Sequence, residues 1–174
     1  MTNDNPVLAA MRERRSIRRY TDDPVEKQDI LAVLDAGRWA PSGLNNQPCR
    51  FLVLGPDDPR RIGLTACTKY AHIVRGCHSL IAVLLQKDKM YNERKDHQAA
   101  GAAVQNMLLA VHALGLGAVW LGEIVNQEPQ ALEALHLDPA RYELQAVLAL
   151  GHPDQTGSSD RLPLSEIVLE DYAS

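Results

Sequence analysis

Five arginines crowd into the segment RERRSIRRY, at positions 12, 14, 15, 18 and 19, in a chain whose formal net charge is -4. A guanidinium group matches phosphate oxygens two at a time, and each well-placed charge-assisted hydrogen bond contributes about 1.5–3 kcal/mol. The segment therefore predicts a clamp for a small phosphate-bearing ligand, to which Ser16 can add a hydroxyl donor. A solvated basic face is the open alternative. A nucleic-acid patch is disfavoured, because a pI near 5.8 gives no global attraction to polyanions.

A second polar segment, APSGLNNQP, occupies residues 40–48. Its two prolines, glycine, serine and two asparagines exclude regular structure between Pro41 and Pro48. The segment follows a helix predicted from Pro24 to about Trp39, and a short buried strand is predicted after it, at 51–54. It should be a stiff loop that presents a serine, an asparagine and backbone groups at the end of an element. An ordinary turn is the alternative interpretation.

The stretch from His97 to Gly122 has no Asp, Glu, Lys or Arg, although charged residues make up 23% of the chain. Up to about Leu114 it is rich in Ala and Leu, which predicts a helix surrounded by protein. Its roughly 18 residues would span about 27 Å, so it should cross the core or a subunit interface. Gly115 should end it in the left-handed conformation. Polar residues interrupt the stretch and glycines end it early, which disfavours a membrane span.

Other segments fill in the expected order of elements. Asn5 is predicted to cap a first helix that runs to about Arg14, with Val7, Leu8 and Met11 on its buried side. Further helices are expected at about 59–67 and 128–135, and further strands at 80–85, 118–121 and 144–150. The Gly-Leu-Gly at 115–117 is not a dinucleotide fingerprint, because it stands between a helix and a strand in the wrong order.

Length and composition favour one domain, residues 1–174, with 45% hydrophobic residues. No segment resembles a leader or anchor, so we expect a cytoplasmic protein with neither membrane nor nucleic acid as a partner. The cysteines Cys49, Cys67 and Cys77 are odd in number and lack paired C-x-x-C spacing. That spacing argues against a disulfide framework and against a zinc site, and we expect no metal.

RRSIRRY at 14–20 and APSGLNNQP at 40–48 together resemble the opening of the FMN-dependent nitroreductase family. LGLGAVWLG at 114–122 and the late segment from GHP to DRLP, 151–163, extend the resemblance over most of the chain in the expected order. The resemblance implies an α+β fold with a mixed central β-sheet flanked by helices. It also implies an intertwined homodimer around the long helix, with two FMN sites at the subunit interface.

The resemblance assigns a set of cofactor contacts by position. On the phosphate, the ribityl chain or the ring edge it places Arg14, Arg15, Ser16 and Arg18, with Arg161 joining at the phosphate. From the other subunit it brings Pro41, Ser42, Gly43 and Asn45 to the flavin. At N5 and O4 of the ring it places the backbone amides of Gly122 and Glu123, with Leu121 beside them and Gln98 facing the ring.

The chain departs from the family pattern in three ways. Cys49 stands where a tryptophan is common, and Ser159 stands where many members have a lysine two residues before the arginine. The second change removes one positive charge from the phosphate site, for which Arg18 or Arg19 could compensate. The chain is also shorter than the well-studied members and lacks a helical excursion over the flavin, which implies a more open pocket.

The implied activity is a ping-pong hydride transfer. NAD(P)H would reduce FMN, and an electron-poor acceptor such as a nitroaromatic or a quinone would then take the electrons in the same pocket. No side chain is an obvious acid or base, so we name no catalytic residue. Two alternatives stay open: related flavin chemistry on a dedicated metabolite, such as dehalogenation or dehydrogenation, and a non-catalytic FMN carrier or sensor.

Overall fold

Residues 5–170, the range that the computed structural model describes, contain seven α-helices and four β-strands. The helices are α1 Pro6–Glu13, α2 Lys27–Arg38, α3 Arg60–Ala66, α4 Ala71–Gly76, α5 Glu93–Ala113, α6 Glu128–Ala134 and α7 Leu164–Ile167. The strands are β1 Cys49–Leu54, β2 Ser79–Gln86, β3 Gly117–Leu121 and β4 Tyr142–Gly151. Short 3-10 turns occupy Gly43–Asn45, Lys87–Lys89 and Glu123–Gln127. The first and last four residues of the predicted domain lie outside this range.

The strands form one sheet in the order β1-β2-β4-β3, and each neighbouring pair is antiparallel. The predicted α+β class is therefore confirmed. Within residues 5–170, parallel pairing occurs only at an isolated bridge between Ser16 and Ala118. The mixed character that we expected of the sheet is thus limited to this one bridge on the outer side of β3.

Apolar side chains alternate between the two faces of the sheet and build a core layer on each. One layer joins the sheet to α3, α4 and α6 and includes Leu64, Ile73 and Leu132. The other joins it to α2 and α5 and includes Val33 and Met107. Because β2 lies in the middle of the sheet between these layers, every one of its residues is buried.

The long helix α5 begins at Glu93, four residues before the predicted start at His97. Its first turn is charged, which hid the start in the sequence. The Asn92 side chain accepts a hydrogen bond from the Lys95 amide at 3.1 Å, and the buried Asp96 carboxylate accepts one from the Asn92 amide at 2.8 Å. These reciprocal bonds satisfy amides that would otherwise be unpaired at a helix start.

The end of α5 matches the prediction. Gly115 has φ +74°, a left-handed conformation that glycine adopts without steric cost. Its amide donates to the His112 carbonyl at 3.0 Å, and the Leu116 amide donates to the Val111 carbonyl at 3.0 Å. This pair of bonds turns the chain out of the helix and into β3.

Helix α1 is capped as predicted but packs differently. The Asn5 side chain accepts hydrogen bonds from the amides of Val7 at 2.9 Å and Leu8 at 3.3 Å. In the single chain, however, Val7 and Met11 are 55% and 50% exposed. The prediction that these two side chains are buried is therefore wrong for the single chain. Helix α1 lies against α5 and leaves these two side chains in solvent.

A buried arginine ties the connection between β1 and β2 together. Arg61 is 7% exposed, and its guanidinium donates to the carbonyls of Gly55, Val74, Cys77 and His78 at 2.6–3.1 Å. Helix α4, whose last turn supplies some of these carbonyls, was not predicted, because its six residues are too short to show a period. No helix within residues 5–170 combines the length and the apolarity that a bilayer crossing requires.

Candidate functional site

The arginine-rich segment lies along β3 and is fixed there by its apolar residues. The Ile17 amide donates to the Ala118 carbonyl at 2.9 Å, and the Ile17 side chain is buried. That side chain packs so closely on Gly117 that a β-carbon there would come within 2.8 Å of it. Residue 117 must therefore be glycine for the arginine-rich segment to pack against β3 in this way.

Tyr20 anchors the other end of the segment. Its hydroxyl oxygen lies 2.6 Å from the Ile17 carbonyl oxygen and 2.9 Å from the Ala149 carbonyl oxygen of β4. Its burial raises the pKa of this hydroxyl well above its usual value, so Tyr20 is a neutral structural group. The backbone that carries the arginines is consequently held at both Ile17 and Tyr20.

Guanidinium groups from both ends of the sequence converge beside this segment. Burial lowers the pKa of Arg14, and the positive charges of Arg161 and Arg15 lower it further. The Nε atom of Arg14 is buried and has no hydrogen-bond partner among the described residues. An unpaired buried donor among like charges is unfavourable until an anion binds. The cluster of Arg14, Arg15 and Arg161 is the arrangement expected of a phosphate site.

A cavity of about 400 Å³ opens beside the cluster. Its polar lining comes from Glu13, Arg14, Arg15, His112, Gln155 and Thr156. The wall at 155–157 approaches the segment closely, since a β-carbon on Gly157 would lie 2.4 Å from the Arg15 β-carbon. Arg18 is exposed at the rim, where its amide lies 3.4 Å from Gln155 Oε1. Ser16 is half-buried on the backbone between them.

The end of β3 lies a short distance from the cluster. From Ala118, which pairs with Ser16, to Gly122 is four residues, or about 13 Å at the rise of a β-strand. Leu121 is buried there, Gly122 is exposed, and Glu123 is half-buried. Among the described residues, no backbone carbonyl outside the regular elements accepts a hydrogen bond from the amides of Gly122 and Glu123.

The loop at 41–48 is strained. Leu44, Asn45 and Gln47 have φ of 56°, 55° and 50°, in the left-handed region that costs non-glycine residues energy. Ser42 Oγ holds the loop by accepting a hydrogen bond from the Gln47 amide at 2.9 Å. Leu44 is 86% exposed at the tip. Backbone strain of this kind clusters at active sites and at loops that hold ligands.

Other loop residues pack against the start of α5. The Tyr91 ring covers Gly43 so closely that a β-carbon there would overlap it. Pro41 and Ser42 line a cavity of about 330 Å³ that also includes Cys49 and Ala99. Tyr91 belongs to the charged segment 87–97, between the 3-10 turn Lys87–Lys89 and α5, which the sequence suggested as a rim or lid for a pocket.

One chain does not bring the loop and the arginine cluster together. The loop cavity includes Ala99, and the arginine cavity includes Leu108 and Val111, nine and twelve residues further along α5. At the rise of an α-helix these separations are about 14 and 18 Å. Gln98, which is exposed, lies at the loop end of the helix. The predicted contacts thus fall into three groups: the loop with Gln98, the arginine segment, and the end of β3.

The three cysteines are free, and Cys49 lines the loop cavity. Burial raises the pKa of its thiol to about 11, with Asp96 adding to the effect and Arg50 opposing it. Cys49 is therefore a neutral thiol near pH 7. Cys49 lines the cavity wall, but a thiol that stays protonated has no nucleophilic role there.

Comparison with known protein families identifies the family of this chain. The model of the nitroreductase family matches residues 11–71 and 58–152, which include the arginine segment, the loop and β3. The chain belongs to the nitroreductase family. The resemblance drawn from the sequence motifs is thereby confirmed.

Relatives of this nitroreductase-family chain include proteins of known structure. A Desulfovibrio desulfuricans protein, provisionally described as a nitroreductase and crystallised with FMN, is 62% identical, with a TM-score of 0.97, and the match covers 99% of this chain and 100% of that one. An Archaeoglobus fulgidus protein, provisionally named NADH dehydrogenase/NAD(P)H nitroreductase, is 33% identical over 80% of this chain and 81% of its own. The NADPH-flavin oxidoreductase of Vibrio harveyi is 27% identical over 95% of this chain and 74% of its own.

Proposed function

We propose that the protein is an FMN-dependent oxidoreductase that uses NAD(P)H to reduce small electron-poor acceptors, such as nitroaromatics or quinones. The observation that carries this proposal is the buried Nε atom of Arg14, which has no hydrogen-bond partner among the described residues and lies within the influence of the positive charges of Arg15 and Arg161. Membership of the nitroreductase family and similarity to a protein crystallised with FMN support it.

The residues present fit FMN along the edge of β3. A phosphate would bind among the guanidinium groups and supply the acceptor that Arg14 Nε lacks within residues 5–170. The ribityl chain would run from there past Ser16 toward Gly122, which lies about 13 Å along β3 from Ala118, the residue that pairs with Ser16. The amides of Gly122 and Glu123 would then donate to polar atoms at the ring edge. Arg18 would stand at the rim of the phosphate site.

Bound FMN would supply the hydride chemistry, and the chain would supply position and charge. The two amides at the end of β3 would stabilise negative charge that develops on the ring edge during reduction. The arginine cluster would neutralise the phosphate and hold it apart from the ring. We assign no acid or base to a side chain, and we infer that protons come from water.

We also propose that each flavin site needs two copies of the chain in an intertwined homodimer. Within one chain the loop cavity and the arginine cavity meet α5 nine to twelve residues apart, about 14–18 Å along the helix, which supports a loop half that comes from a second copy. In that arrangement Pro41, Ser42, Gly43 and Asn45 of one copy, with Gln98 at the same end of α5, would face the flavin held by the other.

Exposed apolar residues at two places support the dimer. Val7 and Met11 leave α1 without cover. The tail around α7 exposes Leu162 at 62%, Leu164 at 75%, Ile167 at 57% and Leu169 at 101%, and so contributes almost nothing to its own core. Monomeric proteins rarely expose such contiguous apolar surface. We infer that the tail wraps around the second copy.

Sedimentation velocity tests the dimer. The triple variant Leu164→Ser, Ile167→Ser, Leu169→Ser should raise the dimer dissociation constant by more than about a thousandfold, since each buried side chain contributes about 1.5–3 kcal/mol. Ile62→Ser, at an equally exposed site on α3, is the matched control and should leave the dimer intact. A tail variant that dimerises like the wild type would refute the wrapped tail.

Anaerobic spectroscopy tests the activity. NADH or NADPH should bleach the visible absorbance of the FMN-loaded protein, and a quinone or nitroaromatic should restore it in a second step. Bound flavin that neither coenzyme reduces would instead favour a carrier or sensor. A protein that takes up no FMN at all would contradict the proposal.

A further inference from the structure

Thr68 lies between α3 and α4, outside the residues so far assigned to the site, yet its side chain reaches Glu123, the second residue after β3. It is 9% exposed. Its Oγ1 accepts a hydrogen bond from the Tyr70 amide at 3.1 Å and lies 2.8 Å from Glu123 Oε2. Because an amide only donates and a carboxylate only accepts, the hydroxyl proton is directed at Glu123.

This hydrogen bond fixes the Glu123 side chain on the side of the sheet where α3 and α4 pack. Glu123 is half-buried and opens the 3-10 turn Glu123–Gln127 directly after Gly122. A free glutamate side chain has three rotatable bonds, and one conformation would carry its negative charge toward the two amides at the end of β3. Negative charge there would compete for the amides and would oppose the uptake of electrons by a neighbouring ring.

We propose that Thr68 is a positioning residue for the flavin. Its hydroxyl holds the Glu123 carboxylate away from the ring edge and keeps the amides of Gly122 and Glu123 aimed at the cofactor. This inference rests on the proposed function, because it names a further residue of the same FMN site. It adds a contact that neither the sequence motifs nor the arginine cluster indicated.

Thr68→Val, which keeps the shape and removes the hydroxyl, tests the proposal against Thr68→Ser, which keeps the hydroxyl. Loss of one charge-assisted hydrogen bond should weaken FMN affinity about tenfold in Thr68→Val. The midpoint potential of the bound flavin should become more negative, and its visible spectrum should shift. Thr68→Ser should restore wild-type affinity, potential and spectrum. Wild-type values for all three quantities in Thr68→Val would overturn the proposal.

A double-mutant cycle separates positioning from simple packing. If Thr68 acts through Glu123, Thr68→Val should change FMN affinity less than about twofold in a Glu123→Ala background. An equal loss in both backgrounds would show a role independent of Glu123 and would overturn the proposal. If Thr68→Val does not fold, Thr68→Ala takes its place: it should weaken FMN binding about tenfold, and the double variant Thr68→Ala with Glu123→Ala should bind within about twofold of the wild type. An equal loss in the single and the double variant would also overturn the proposal.

The wild-type titration distinguishes the failure of this inference from the failure of the proposed function. If the wild-type protein binds FMN and the Thr68 and Glu123 variants bind it equally well, only the positioning role of Thr68 is refuted. Wild-type protein that binds no FMN would remove the flavin site, and this inference with it.

Discussion

Replacing Arg161 by alanine separates the proposed phosphate site from the fold. Arg161 is exposed, and its side chain bonds only locally, to Ser159 and to the Asp160 carbonyl, among the described residues. Without a ligand, its charge is one of the causes that lower the pKa of Arg14. Removing it should therefore leave the free energy of unfolding of the free protein unchanged or slightly raised.

The expected loss appears in FMN affinity. One charge-assisted hydrogen bond contributes about 1.5–3 kcal/mol, which corresponds to an increase of about 10- to 150-fold in the dissociation constant. Added salt should weaken FMN binding less steeply in Arg161→Ala than in the wild type, because one fewer charge is screened. The rate of flavin reduction at saturating FMN should not change, since Arg161 acts at the phosphate and not at the ring.

Fluorescence titration of the free protein with FMN measures this loss, and riboflavin provides the ligand control. Riboflavin lacks the phosphate, so wild type and Arg161→Ala should bind it equally. Arg75→Ala, which removes an exposed arginine at the end of α4, is the protein control and should bind FMN like the wild type. Unchanged FMN affinity in Arg161→Ala, or an equal loss for riboflavin, would refute the phosphate assignment.

Three further predictions concern the scaffold and the loop cavity. Arg61→Met should lower the free energy of unfolding by at least about 3 kcal/mol in urea denaturation, because it leaves several buried carbonyls unpaired; a loss below 1 kcal/mol would contradict this. Gly115→Ala should cost about 1 kcal/mol by the same measurement, whereas Gly115→Asn should cost less, because asparagine tolerates φ near +74° better. The Cys49 thiol, with a pKa of about 11, should react slowly with iodoacetamide at pH 7.5 and faster as the pH rises toward 11. Mass spectrometry measures the alkylation rate, and fast alkylation at pH 7.5 would be inconsistent with that pKa.

The sequence predicted those features that depend on local chemistry. Asn5 and Gly115 cap helices because their side chain and backbone preferences act over a few residues. The phosphate site remains a prediction from the residue types of the arginine segment, and the family resemblance supplied its link to Arg161. The strands were located within two residues of their positions because long apolar runs leave few alternatives.

Features that depend on distant partners were not predictable. Val7 and Met11 lie on the apolar face of α1, but periodicity cannot tell whether a chain covers that face itself or leaves it to a second copy. The left-handed conformation of Leu44 contradicts its local preference and is imposed by the loop. Thr68 carries no motif, and its contact with Glu123 arises only when the end of β3 packs near α3 and α4.

Complementation between two defective chains tests most directly the claim that each flavin site is built from two copies. One chain carries Arg15→Ala with Arg161→Ala, and the other carries Ser42→Trp in the loop. Each is first shown to bind no FMN as a homodimer. The mixed dimer, isolated with two different tags, should bind about one FMN per two chains, because only one of its sites combines intact arginines with an intact loop. A mixed dimer that binds no FMN would show that arginines and loop act within a single chain, and would contradict the account.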